Sequence, residues 1–253
     1  MNVTIDLALA LYLVFVIPCT QLWRSLRPKD GPKRPRSRRY LSTIREIALL
    51  LLALAAVCWW NGHTASDLGV AAPTSGAAFW SLLIAVAALP AAHFIGKIYE
   101  RRMDPAKHAA SQRQLLDNDM LPRTAAELRL FVAVSLFIGI GWELLYRGFL
   151  MLALTPWLGT WGALLAAAVA YGAAHGYQSA GMFAGSIVSA LLFTGGYALT
   201  GSLWWLMLIH VALPLAAPLY YYKIMRDEAA RASAGGSEQA IRRAVAIESR
   251  PGM

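Results

Sequence analysis

Residues 125–154 have the sequence AAELRLFVAVSLFIGIGWELLYRGFLMLAL, and this stretch decides the class of fold. Beyond Glu127 and Arg129 at its start, only Glu143 and Arg147 carry charge. Because an α-helix rises 1.5 Å per residue, about 20 apolar residues cross a hydrocarbon core about 30 Å thick. The stretch is therefore long enough to span a membrane as a helix that keeps two charged side chains inside it.

Two capping boxes indicate where helices begin. In residues 124–127, two positions after Pro122, and again in residues 43–46, a Thr is followed three positions later by a Glu. In such a box each of the two side chains satisfies a backbone amide that the first helical turn leaves unpaired. We therefore predict helix starts at Thr124 and at Thr43.

Further apolar runs lie on both sides of the first one. The chain is 58% hydrophobic and 15% charged, whereas soluble domains have roughly 45–50% apolar and about 25% charged residues. Cys19 and Cys58 fall inside apolar runs, so neither a disulfide framework nor a cysteine metal site is expected. We predict an all-α, polytopic membrane bundle of about seven transmembrane helices, at residues 7–23, 44–61, 77–96, 125–154, 160–175, 181–199 and 203–222.

The distribution of basic residues predicts the orientation of the bundle. Residues 24–45 hold nine Lys and Arg, residues 97–123 hold six, and residues 223–250 hold six more. The remaining connections hold none. By the positive-inside rule the N-terminus lies outside and the C-terminus is cytoplasmic, in the cell (inner) membrane. The rule also accounts for the net charge of +9 without nucleic acid, so membrane lipid is the expected partner.

The same pattern divides the chain into three parts. We predict an N-terminal three-span region with basic cytoplasmic loops at residues 1–121, a four-helix core at residues 122–222, and a mobile cytoplasmic tail at residues 223–253. Within the core, Gly181, Gly185 and Ser189 recur at every fourth position. Such a ridge of small residues is typical of helices that pack closely in membranes, and close packing is predicted here.

Four polar side chains stand out in the core because charge deep in lipid is costly and usually serves function. Glu143 and Arg147 are four residues apart, and His175 and His210 lie in later runs. At 1.5 Å per residue, Glu143 lies about 20 Å and His175 about 27 Å below the outer turn near residue 157. His210 lies about 14 Å below the outer turn near residue 201. We predict that the three titratable groups line one cavity.

Two kinds of chemistry suit such a cavity. A buried carboxylate and an imidazole can activate water as general bases. Glu143, His175 and His210 could equally bind Zn²⁺ and leave one position open. The HExxH spacing that favours zinc is missing from the sequence. No cofactor is therefore expected, while zinc at these three residues stays an alternative.

Three strings in the core resemble a known family: WELLYRGFL at 142–150, YGAAH at 171–175 and TGSLWWLMLIH at 200–210. Over residues 122–215 the chain resembles the CPBP family of intramembrane endopeptidases, which includes CAAX-processing (Rce1-type) proteases and bacteriocin-processing or immunity proteins. The family motifs are EExxxR, FxxxH and HxxxN or HxxxD, in that order. The resemblance implies a membrane-embedded or lipidated peptide substrate.

The resemblance also implies roles for the four polar residues. Glu143 and His175 would activate water, His210 would polarise the scissile carbonyl, and Arg147 would orient Glu143. Three positions depart from the motifs: Trp142 replaces the first Glu, Tyr171 replaces the Phe, and Pro214 replaces the final Asn or Asp.

These departures keep several functions open. The first hypothesis is an active intramembrane endopeptidase of this family. The second is a catalytically impaired member that serves as a membrane scaffold, an immunity protein or a partner-binding protein, and it is motivated by Trp142 and Pro214. The third is a small transporter with Glu143 as its proton site, which proton-coupled uptake into proteoliposomes would reveal. The oligomeric state is left open.

Overall fold

The computed structural model describes residues 3–27, 34–74 and 76–248, and within these ranges it contains helices and connections but no strand. The prediction of an all-α protein is confirmed. A π-helical turn at Glu143–Phe149 joins two of the helices. The helices are α1 Val3–Leu26, α2 Arg36–Asn61, α3 Gly76–Arg102, α4 Pro105–Asp117, α5 Ala125–Trp142, α6 Leu150–Ala174, α7 Ala180–Thr200 and α8 Trp204–Glu248.

Six segments of the described helices are long and apolar enough to cross a membrane. One of them, Ala125–Ala174, is 50 residues long and contains two of the seven predicted runs. The protein is therefore a multi-pass integral membrane protein. Which side of the membrane each end occupies stays a prediction.

The longest segment folds back on itself at Gly159. This residue has φ 65° and ψ 171°, which are not helical angles. The rings of Tyr146 and Tyr171 lie 5.3 Å apart, although a continuous helix would separate residues 25 positions apart by about 37 Å. Gly tolerates a positive φ at no steric cost. The segment is therefore a hairpin that supplies two of the predicted crossings.

One of the two predicted helix starts agrees with the structure. Thr124 Oγ1 accepts from the Glu127 amide at 3.1 Å, and Glu127 Oε2 accepts from the Arg123 amide at 2.8 Å. The start predicted at Thr43 is wrong. Its helix, α2, already begins at Arg36, and the Thr43 hydroxyl donates to the Arg39 carbonyl at 3.2 Å instead of capping an amide.

The close helix packing lies elsewhere than at the predicted ridge. A Cβ atom added at Gly181 or Gly185 would meet nothing within 4 Å in the described residues. A Cβ at Gly172 would lie 2.7 Å from Ile187 Cγ1, and a Cβ at Gly141 would lie 2.5 Å from Ile47 Cγ2. The hairpin thus packs tightly on α7 and α2 through other glycines, and the prediction for Gly181 and Gly185 is wrong within this chain.

Hydrogen bonds at the start of α2 hold it to the rest of the bundle. At its start, Arg36 Nε and Arg39 Nη2 donate to the backbone carbonyl of Asp119, at 2.8 and 2.7 Å. These bonds fix the connection that leads into α5.

At the C-terminal end of the protein, α8 continues through the polar residues to Glu248. The predicted mobility of the tail stays a prediction, and residues 249–253 lie outside the described part.

A buried polar cluster joins α1 to the end of α2. Asp6 is 8% exposed; its carboxylate accepts from Asn61 Nδ2 at 2.8 Å and lies 3.0 Å from His63 Nε2. We expect Asp6→Ala to lower the free energy of unfolding by about 1–3 kcal/mol, because it removes the acceptor that faces the buried Nε2 of His63. Thermal unfolding in detergent micelles measures this effect. The same change at the exposed Asp117 serves as the control, and equal melting temperatures for the two variants would contradict the expectation.

Candidate active site

The π-helical turn at Glu143–Phe149 forms one wall of the site. Such turns are rare and occur frequently at functional positions. Glu143 and Arg147 are both 1% exposed, and Arg147 Nη1 donates to Glu143 Oε1 at 2.5 Å. The apolar surroundings therefore hold an ion pair rather than two isolated charges, which would be far more costly to bury.

Helix α8 brings His210 to this ion pair. His210 Nδ1 donates to Glu143 Oε1 at 2.8 Å. The helices come this close because residue 139 of α5 is a glycine: a Cβ there would lie 2.5 Å from Val211 Cγ2 and 2.8 Å from the Val211 amide nitrogen. Gly139 thus sets the distance between the two helices that carry Glu143 and His210.

The end of α6 supplies Tyr171 and His175. His175 Nδ1 donates to the backbone carbonyl of Tyr171 at 2.9 Å, so a neutral ring keeps its lone pair on Nε2. The Tyr171 hydroxyl oxygen lies 3.1 Å from His210 Nε2 and 3.3 Å from His210 Nδ1. The Arg147 guanidinium lies over the Tyr171 ring, 4.4 Å from its centre, in the arrangement of a cation–π contact.

These side chains meet at a cavity of about 260 Å³. Glu143, His175 and His210 all line it, whereas Arg147 lies behind Glu143 and does not. Trp142 is not part of the lining; its ring packs against Tyr146, with the ring centres 5.5 Å apart. The remaining lining residues are Tyr171, Ser186, Ser189, Ala190, Phe193, Leu206, Ile209, Leu213 and Pro214.

One oxygen of the Glu143 carboxylate has no hydrogen-bond partner in the described part of the chain. Oε1 accepts from both Arg147 and His210, whereas Oε2 is buried and has no hydrogen-bond partner among the described residues. Buried polar atoms are nearly always paired, and an exception calls for an explanation. Because Glu143 lines the cavity, Oε2 is an acceptor suited to a water molecule or to the N–H group of a substrate.

Tyr171, Ser186 and Ser189 are polar lining residues to which the sequence patterns gave no role in the site. Tyr171 lies one helical turn before His175, and that spacing was the available signal for it. Ser189 belongs to the small-residue ridge that was assigned to packing.

No three His, Cys, Asp or Glu side chains in the described part of the chain are grouped as metal ligands. Nδ1 of His175 and Nδ1 of His210 each already face an oxygen acceptor. The arrangement offers a carboxylate oxygen, two imidazole Nε2 atoms and a phenol hydroxyl around one small cavity. These groups are suited to holding and deprotonating water and to binding a carbonyl oxygen.

Comparison with protein families gives one match, and it covers the part of the chain that contains the site. Residues 124–215 match the family model described as "Rce1-like: Type II CAAX prenyl endopeptidase Rce1-like". Comparison with curated proteins gives no match, and comparison with solved structures gives none either. Glu143, Arg147, His175 and His210 all lie within the matched residues. Residues 124–215 are therefore similar to the Rce1-like family of type II CAAX prenyl endopeptidases.

Proposed function

We propose that the Rce1-like domain hydrolyses a peptide bond in membrane-embedded or lipidated substrates. The observation that supports this most strongly is the buried Glu143 carboxylate, whose Oε2 is unpaired among the described residues, in a cavity shared with two histidines. Burying an ionisable side chain inside a membrane lowers stability, so such residues usually mark a functional site. The family match agrees with peptide hydrolysis.

In the proposed reaction Glu143 Oε2 holds a water molecule, and Glu143 and His175 activate it. The water oxygen attacks the carbonyl carbon of the peptide while one of its protons passes to this carboxylate–imidazole pair. The same proton then passes to the amide nitrogen as the C–N bond breaks, so a carboxylic acid and an amine leave. Arg147 fixes the orientation of Glu143 through the bond to Oε1.

His210 faces the carbonyl side of this reaction. A doubly protonated ring donates Nδ1–H to Glu143 and has Nε2–H left for the carbonyl oxygen. Polarising the carbonyl in this way favours the negative charge that develops on its oxygen in the transition state.

A second candidate function is a non-catalytic membrane scaffold or partner-binding protein. Two observations favour it. Trp142, which stands where the family motif has its first Glu, packs outside the cavity against Tyr146. Glu143 is also fully buried in contact with Arg147, as in an ion pair that only holds helices together. In that case substitutions at Glu143 and His175 lower the stability of the protein, and the wild type itself hydrolyses no peptide.

Purified protein in proteoliposomes distinguishes the two functions. We expect the wild type to cleave internally quenched farnesylated peptides, and Glu143→Gln to lower kcat about 10²–10⁴-fold, the usual range for a lost general base. Glu100→Gln, at an exposed position on α3, is the matched control and should cleave like the wild type. We also expect EDTA to leave the rate unchanged. Absence of cleavage by the wild type, or full activity of Glu143→Gln, would rule out the proposed hydrolysis.

A further inference from the structure

The hydroxyl of Tyr171 is the feature of the cavity that the proposed roles leave unused. The ring alone makes the packing contacts: its centre lies 5.3 Å from that of Tyr146 and 4.7 Å from that of His175. A phenylalanine would keep those contacts. The hydroxyl instead lies beside His210, at nearly equal distances of 3.1 and 3.3 Å from its two ring nitrogens.

Among the other polar groups around the cavity, only a doubly protonated His210 offers an equivalent proton. Because Nδ1–H of His210 is directed at Glu143, a neutral His210 presents only a lone pair at Nε2. The Ser186 hydroxyl donates to the backbone carbonyl of Phe183 at 2.8 Å. Ser189 is exposed, and Pro214 has neither a polar side chain nor an amide hydrogen.

A hydroxyl can rotate about its C–O bond, so the Tyr171 proton is free to turn from the imidazole towards another acceptor. The oxygen is also held firmly, since the ring is 6% exposed and lies between the Arg147 guanidinium and the neighbouring aromatic rings. A preorganised donor in a water-poor site stabilises a developing oxyanion without having to reorganise.

We propose that Tyr171 is a catalytic residue that donates its hydroxyl hydrogen to the scissile carbonyl oxygen, and so supplies the oxyanion donor that Pro214 cannot. This role rests on the proposed hydrolysis. It assigns the carbonyl side of the cavity to Tyr171 and His210 together, and the water side to Glu143 and His175.

The test is Tyr171→Phe in the full chain, with Tyr146→Phe as the matched control. Tyr146 also loses a buried hydroxyl, but that hydroxyl donates to the Leu13 carbonyl at 3.0 Å. We expect Tyr171→Phe to lower kcat about 10²-fold, as for a lost oxyanion donor, with little change in KM. The control should keep the wild-type kcat, because Tyr146 does not line the cavity.

A rescue experiment separates chemistry from structure. Adding Pro214→Asn to Tyr171→Phe places an amide donor on the cavity wall, and we expect it to recover at least about tenfold in kcat. If the wild type cleaves and Tyr171→Phe cleaves equally well, the role of Tyr171 is overturned while hydrolysis stands. A kcat loss that Pro214→Asn does not recover also overturns it. If the wild type cleaves nothing, both proposals fail.

Discussion

Arg147→Met is expected to lower the free energy of unfolding by about 3–5 kcal/mol, the usual range when one partner of a buried ion pair is removed. Met has a similar length, so the cavity that remains is small. What is lost is the charge that compensates Glu143, which is 1% exposed and accepts from Arg147. Once unpaired, this carboxylate can relieve the cost only by taking up a proton or by reaching water.

Chemical unfolding in detergent micelles measures this loss. The control is Arg101→Met, at an exposed position on α3, which should stay within about 0.5 kcal/mol of the wild type. The double variant Glu143→Gln with Arg147→Met should recover part of the stability, because no buried charge is then left unpaired. If Arg147→Met unfolds like the wild type, the buried ion pair does not stabilise the fold.

The second large effect is expected for Gly139→Ala, which adds one methyl group between α5 and α8. This methyl would lie 2.5 Å from Val211 Cγ2, 2.8 Å from the Val211 amide nitrogen and 3.0 Å from the His210 carbonyl carbon. Two of these atoms belong to the backbone, so the helices must separate. A shift of about 1 Å at a catalytic group can cost 10²-fold in rate, and we expect kcat to fall by about that factor.

Cleavage kinetics and thermal unfolding together identify the cause of the loss. Gly185→Ala is the matched control, because its added Cβ meets nothing within 4 Å in the described residues. It should keep the wild-type rate. If Gly139→Ala also keeps the wild-type rate, the proposed contact between Glu143 and His210 is not needed for hydrolysis.

The class of fold was predictable because one physical quantity decides it, namely the length of uninterrupted apolar sequence. The positions of Glu143, Arg147, His175 and His210 were also accessible, since a charged or titratable side chain in an apolar run is conspicuous. The depth of each residue along its helix then predicted that Glu143, His175 and His210 lie near one another. Their roles in catalysis stay proposals.

Other features depend on contacts that a single sequence does not specify. The start of α2 at Arg36 uses the carbonyl of Asp119, 83 residues away, which outweighs the local capping box at Thr43. The packing glycines cannot be recognised by spacing alone, because the residues opposite them decide. Gly181 and Gly185 have the right period, but a Cβ added at either would meet nothing within 4 Å in the described ranges. The proposed role of the Tyr171 hydroxyl depends on its contact with His210, which lies 39 residues later in the chain.

The π-helical turn at Glu143–Phe149 has a consequence for how the gene can change length. Such a turn contains an extra residue relative to an α-helix. A single-codon deletion within it would remove that residue and restore regular α-helical spacing, so the helices on either side would keep their register. Leu150 and Leu154, which are buried, would then stay in the core. The spacing of side chains inside the turn would change, so the loss of one codon here would alter the site while leaving the packing of both flanking helices in place.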